Sequence, residues 1–203
     1  MFEIIRAAGW PIWPIIAASL IALTIIIERL IALRSAVVAP PDLLPNVVQE
    51  YEKKGVQPEL LDRLSQHSPL GQIFAAGLKN VRSPRDIMKD SIEEAGRAVA
   101  HQLDRFLTTL GTIASMAPLL GLLGTIIGMI EIFGATTSTG LANPAQLASG
   151  ISVALYNAAF GIIVAIPALI FFRYFRAKAA SLIVEMEMQA IKLVEIVHGE
   201  RRT

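Results

Sequence analysis

Few side chains in this sequence can do chemistry, and those that can are sparsely placed. Between Phe106 and Phe172 the only acid or base is Glu131, apart from the phenol of Tyr156. Two neutral polar groups sit in the glycine-rich parts of the same stretch: Thr125 within GLLGTIIG (121–128) and Asn157 within GISVALYNAAFG (150–161). A hydroxyl and an amide can bond backbone, water or each other, but neither stores charge at neutral pH. Glu131 is the one acid near membrane depth that could titrate; its alternative is a carboxylate resting at the outer interface. Outside the stretch, His101 lies four residues from both Arg97 and Arg105 and reads as part of a basic stripe. No second His or acid pair is spaced to hold a metal. HExxH, GxSxG, a phosphate loop and paired acids within the apolar segments do not occur. The expectation is a protein that is not an enzyme and carries no metal or other cofactor.

The elements that must position these groups are apolar. Of 203 residues, 54% are hydrophobic and 17% charged, against about 25% charged for an ordinary soluble domain. Runs of 18 or more apolar residues predict membrane spans. The first runs from about Pro11 to Ile27 and closes on Glu28, Arg29 and Arg34, with Trp10 and Trp13 suited to the interfacial belt at its start. Glu3 and Arg6 give no positive excess before it, so an uncleaved anchor is expected rather than a signal peptide. The second covers Phe106 to Ile130 and the third Leu147 to Phe172. Eleven Lys or Arg fall between spans one and two and six follow span three, while 134–146 holds none. By the positive-inside rule the chain is N-out and C-in. The expected division is 1–34 (first span), 35–104 (cytoplasmic helical region), 105–134 (second span), 135–146 (periplasmic loop), 147–174 (third span) and 175–203 (cytoplasmic C-terminal helix). A net charge of +1 gives no field to attract nucleic acid. The sequence contains no cysteine.

Pro40-Pro41 should break the first helix. Amphipathic helices are expected over 42–55, stopped by Gly55, over 58–67, and over 68–81, capped by Ser68. Ser83-Pro84-Arg85-Asp86 predicts a helix start, with Ser83 capping and Pro84 at the first helical position. No stop follows until Gly134, so helix throughout 84–133 would be about 75 Å long, and its first half must project from the bilayer. After Phe172, apolar residues recur at helical spacing to a stop at Gly199. No stretch alternates with period two. The predicted fold is an all-α integral membrane protein whose second and third spans extend into a cytoplasmic helical bundle.

Gly121, Gly124 and Gly128 share one face of span two. Gly150, Ala154, Ala158 and Gly161 share one face of span three. Small residues let spans approach closely where lipid supplies no hydrophobic drive. Pro118 should bend span two. Two readings stay open. The small faces could close a tight hairpin, with Thr125 bonded back to its own helix and Asn157 bonded across to its neighbour. Alternatively both polar groups could contribute to a pore lining in an oligomer.

APLLGLLGTIIGMI (117–130), GISVALYNAAFGIIVAIPALIFFRYF (150–175) and the N-out three-span layout resemble the MotA/TolQ/ExbB proton channel family, its ExbB and TolQ branch most of all. That resemblance implies a bacterial inner-membrane protein, one subunit of a pentamer with spans two and three around a pore. It also implies single-span partners like ExbD or TolR, carrying an intramembrane Asp, and a TonB-like or TolA-like protein carrying force to the outer envelope. Thr125 falls on the family's GTxxG threonine. In the family pattern GIxEALxxTxxGL the Glu position is Val153 here and the Thr position is Ala158. The titrating carboxylate would then come chiefly from the partner, helped by Thr125, Asn157 and water. The alternative is a non-conducting oligomeric scaffold that holds a single-span partner.

Overall fold

The computed structural model describes residues 9–139 and 144–200, and every regular element among them is helical. In chain order these are α1 (Ile12–Ala32), α2 (Ser35–Val38), α3 (Leu43–Lys54), α4 (Pro58–His67), α5 (Pro69–Lys79), α6 (Arg85–Leu103), α7 (Leu107–Thr139) and α8 (Pro144–Val197). Among the described residues three segments are long and apolar enough to cross a membrane: Ile12–Ala32, and windows within Arg85–Gly134 and Ala148–Val197. Their mean hydropathies are 2.3, 2.0 and 2.2. Much of their apolar surface faces outward, as at Leu119 (62% exposed), Ile130 (64%) and Leu155 (64%). Lipid is the natural cover for such surface. Glu3, Arg6 and positions 140–143 of the expected loop lie outside the described residues.

The chain divides into two compact units. One comprises the described residues of Met1–Glu28 and Phe106–Tyr174; the other those of Arg29–Arg105 and Phe175–Thr203. The first unit contains α1 through Glu28, α7 and the first part of α8. Ile12, Ile15 and Ala22 of α1 are buried in it, while Trp10 and Trp13 are exposed.

The second unit is a small helical bundle. Leu70, Phe74, Leu78, Met88, Leu182 and Leu193 form its core, each essentially inaccessible to solvent. Ser68 caps α5 as its spacing predicts, its Oγ accepting from the Gly71 N–H at 3.1 Å. Gly71 is needed there for a second reason. A methyl carbon on it would stand 2.2 Å from the Leu64 carbonyl oxygen. Gly55 ends α3 at φ 68° and Gly199 follows α8 at φ 74°, left-handed conformations that glycine adopts freely.

Four sequence expectations are corrected. The helix expected to be continuous over 84–133 is interrupted at Asp104–Phe106, where Phe106 takes φ 62°. The cause is non-local. Arg29, only 5% exposed, donates from Nη1 to the carbonyl oxygens of Leu103 (3.1 Å) and Gln102 (3.4 Å). Those two carbonyls belong to the last turn of α6, so the guanidinium caps the helix end.

The first helix ends at Ala32 rather than at Pro40-Pro41, and it outruns its expected limit at Ile27. Arg34 is extended, α2 follows, and the turn buries Leu33, Val38 and Ala39 almost completely. The Lys178 ammonium donates to Ser35 Oγ at 2.9 Å and fixes α2 against the second unit's part of α8. Pro84 stands at the N-cap of α6 with extended ψ 148°, not at the first helical position, and no side chain caps that end. Lastly, α7 passes Gly134 and continues to Thr139, while α8 begins at Pro144. Glycine inside a helix costs about 1 kcal/mol relative to alanine but does not stop it.

Candidate functional site

The predicted site residues meet in the hairpin of α7 and the first part of α8. On α7 the buried positions among the described residues form a stripe: Leu107, Leu110, Ile113, Ala114, Ala117, Gly121, Gly124, Gly128 and Ile132. Steps of three and four residues keep these positions on one side of the helix. On α8 the matching stripe is Ala154, Asn157, Gly161, Ala165 and Ala168, all buried.

The two stripes touch backbone to backbone where both lack side chains. A methyl carbon on Gly161 would lie 2.6 Å from the Ala117 carbonyl oxygen and 3.0 Å from Gly121 Cα. One on Gly121 would lie 2.8 Å from the Asn157 carbonyl oxygen and 3.2 Å from Ala158 Cα. At Gly128 the nearest atoms, Ala154 N and the Gly150 carbonyl oxygen, are 3.3 Å away. Larger groups fill the ends: Ile132 lies over Gly150 and the Phe172 ring over Gly111. Interdigitation of small and large residues is how helices gain dispersion energy without a hydrophobic drive. Within one chain, then, the small faces pack on each other.

Both neutral polar groups belong to this interface. Thr125 Oγ1 donates to the Gly121 carbonyl of its own helix at 3.0 Å and is 3.2 Å from the Ala154 carbonyl across the hairpin. Asn157 is fully buried; its Nδ2 donates to the Val153 carbonyl one turn back at 3.0 Å. Its Cβ and Cγ occupy the space beside Gly124, where a methyl carbon would come within 2.6 Å and 2.7 Å of them. The threonine hydroxyl reaches across the hairpin, and the asparagine amide donates to its own helix.

The other candidates lie around this interior. Val153 and Ala158 are half-buried beside Asn157, and Ser152 is also half-buried, its hydroxyl bonded to the Ala148 carbonyl. Glu131 is exposed on α7, and Tyr156 is exposed on α8. His101 is exposed on α6, with Arg97 one turn away paired to Glu93 at 3.4 Å. Among the described residues no group of three or more His, Cys, Asp or Glu is placed to hold a metal. The sequence pattern does not reveal the partners of the larger residues. Ile132 over Gly150 and Phe172 over Gly111 pair positions that only the hairpin brings together. What remains chemically is an apolar hairpin with a neutral polar centre. It can pack, orient a partner and hydrogen-bond water, but contains no interior acid or base of its own.

The chain is similar to known proteins. The family described as the MotA/TolQ/ExbB proton channel family matches residues 65–188. An ExbB-like biopolymer transport protein of Synechocystis sp. is 33% identical over 84% of this chain and 82% of its own length. The biopolymer transport protein exbB1 of Vibrio cholerae is 30% identical over 79% of this chain and 72% of its own. The Tol-Pal system protein TolQ of Pseudomonas aeruginosa is 28% identical over 93% of this chain and 87% of its own.

Proposed function

The chain belongs to the MotA/TolQ/ExbB proton channel family, and on that premise we propose that it is the pore-forming subunit of a proton-driven motor in a bacterial inner membrane. The observation that carries this function is the α7–α8 hairpin, which is tightly packed through glycine, with the buried Asn157 and the half-buried Thr125 at its contact. Several copies form the complex, five by resemblance to the family. A single-span partner of ExbD or TolR type stands among them and brings the carboxylate that this hairpin lacks. Residues 35–104 and 175–203 face the cytoplasm and the 135–146 segment faces the periplasm, as the distribution of Lys and Arg favours. Proton entry drives movement that a TonB-like or TolA-like protein carries to the outer membrane. Each proton crossing a potential of 100 mV releases about 2.3 kcal/mol, to which any pH difference adds.

Proton uptake into vesicles tests the proposal. The chain reconstituted with a single-span partner that carries an intramembrane Asp should take up protons under an imposed potential. The chain alone should not, because neither Thr nor Asn can exchange a proton at neutral pH. If the complex takes up none at any potential, the chain is a scaffold for its partner rather than part of a conducting path.

A further inference from the structure

Arg29, in the last turn of α1, is the side chain that closes off α6. In an unbroken helix the Gln102 carbonyl would accept from the Phe106 N–H and the Leu103 carbonyl from the Leu107 N–H, each four residues on. Instead the Arg29 guanidinium donates to both carbonyls, at 3.4 Å and 3.1 Å. The Gln102 oxygen also accepts from the Arg105 N–H at 3.3 Å, so both of its lone pairs are engaged. The guanidinium and the next helical turn therefore compete for the same acceptors.

Local sequence does not demand the break. Residues 103–107 read Leu-Asp-Arg-Phe-Leu, without glycine or proline. Phe106 takes φ 62°, a region costly for so bulky a residue. Strain of this kind persists only where the surroundings impose it. A return of the Asp104–Phe106 turn to helical dihedrals would join α6 and α7 into one rod. The break also falls at the Arg105–Phe106 boundary between the two units. The other two crossings, at Glu28–Arg29 and Tyr174–Phe175, lie inside α1 and α8, which are unbroken there. Of the three crossings, the α6–α7 joint is the one with a backbone alternative.

We propose that Arg29 is a latch on this joint. While it holds the two carbonyls, α6 and α7 are separate helices; when α1 withdraws it, they join. A slide of α1 by one residue, about 1.5 Å, exceeds the tolerance of hydrogen bonds already at 3.1 Å and 3.4 Å. The position of the first span thereby governs the start of the helix that carries Thr125 and its glycines.

A pair of metal ligands placed across the joint tests the latch. Asp104 and Thr108 are exposed and lie four residues apart on either side of Phe106. In one continuous helix such positions are neighbours, with Cβ atoms about 5–6 Å apart, and two histidines there chelate a divalent metal. Across the break they lose that spacing. The untagged full-length chain carrying Asp104→His and Thr108→His, with His101→Gln to remove the neighbouring imidazole, is titrated with Zn2+ in micelles. Adding Arg29→Gln should tighten Zn2+ binding about tenfold or more, because apparent affinity scales with the fraction in the competent state. Adding Phe106→Gly as well should reverse the gain, since glycine adopts positive φ freely. With Arg29 retained, Phe106→Val should bind more tightly than Phe106→Gly, a β-branched residue being an outlier at positive φ. Equal affinity with and without Arg29, in protein whose helicity shows it folded, would overturn the proposal. Should Arg29→Gln fail to fold, equal affinity of the Phe106→Val and Phe106→Gly proteins would overturn it instead. Zn2+ affinity is read on the chain alone, so a failed latch leaves the proton reading intact, and absent proton uptake leaves the latch standing.

Discussion

Replacing Gly161 by alanine should separate the α7–α8 hairpin, and replacing Gly128 should not. At Gly161 the added carbon would lie 2.6 Å from the Ala117 carbonyl oxygen, 3.0 Å from Gly121 Cα and 3.2 Å from Gly121 N. All three are backbone atoms, so no side chain can rotate away. Restoring an ordinary contact of 3.4 Å requires the helices to part by about 0.8 Å at that point. A radial gap of roughly 0.5–1 Å forfeits a quarter to a half of the dispersion energy of flanking contacts. Overpacking of this kind costs about 1–3 kcal/mol, offset by up to about 1 kcal/mol of helix propensity gained on losing a glycine. The net loss for Gly161→Ala should be about 1–2 kcal/mol, a factor of about 5–30 in the folding equilibrium. At Gly128 the nearest contacts, also backbone, are 3.3 Å, so a shift of about 0.1 Å restores ordinary contact and Gly128→Ala should stay within about 0.5 kcal/mol of the parent, the small strain being offset by the propensity gain. The assay is reversible unfolding in mixed detergent micelles at fixed protein concentration, followed by helicity and by the fluorescence of Trp10 and Trp13. A Gly161→Ala protein as stable as the parent, or a Gly128→Ala protein the weaker of the two, would refute backbone contact as the basis of the hairpin.

Arg29→Ala should destabilise the chain by about 1.5–3 kcal/mol, since a charged donor to the last carbonyls of α6 is lost in a buried setting; hydrogen exchange should rise first around residues 100–106. Ser68→Ala removes the N-cap of α5 and should cost about 1 kcal/mol in the same unfolding assay, with Ser68→Gly costing less. Thr125→Val deletes the hydroxyl between α7 and α8 and should weaken the hairpin by about 0.6–2 kcal/mol and reduce proton uptake by the complex. Thr125→Ser should preserve both, so equal uptake by all three proteins would exclude the hydroxyl from the proton route. Val153→Glu places a carboxylate at the half-buried position beside Asn157 and should change the rate of uptake; an inserted, assembled variant with unchanged uptake would exclude position 153 from the path.

Much of this architecture can be read from local sequence, because the signals concerned act over one or two turns. The apolar segments, the Ser68 cap, the stops at Gly55 and Gly199 and the small faces of spans two and three are of this kind. What escapes is whatever depends on distant partners. Residues 103–107 contain neither glycine nor proline, yet the helix breaks there because Arg29 takes the carbonyls of Gln102 and Leu103. Arg29 itself looks like an interfacial charge closing the first span, and only the second unit's packing buries it. The early end of α1 likewise follows from burying Val38 and Ala39 and from the contact between Ser35 and Lys178, 143 positions apart. Within the candidate site, spacing identifies Thr125 and Asn157 as the polar groups on the glycine-rich faces. Their division of labour depends on how α7 and α8 are rotated against each other, which decides that Asn157 fills the space beside Gly124 while the Thr125 hydroxyl reaches Ala154.

The most direct test of the central claim is the native mass of the chain purified from membranes together with the single-span protein expressed beside it. The expected result is a species containing several copies of the 21.9 kDa chain with the single-span protein retained, and loss of that species when Gly161 is enlarged. A lone 21.9 kDa chain that never retains such a protein would contradict it.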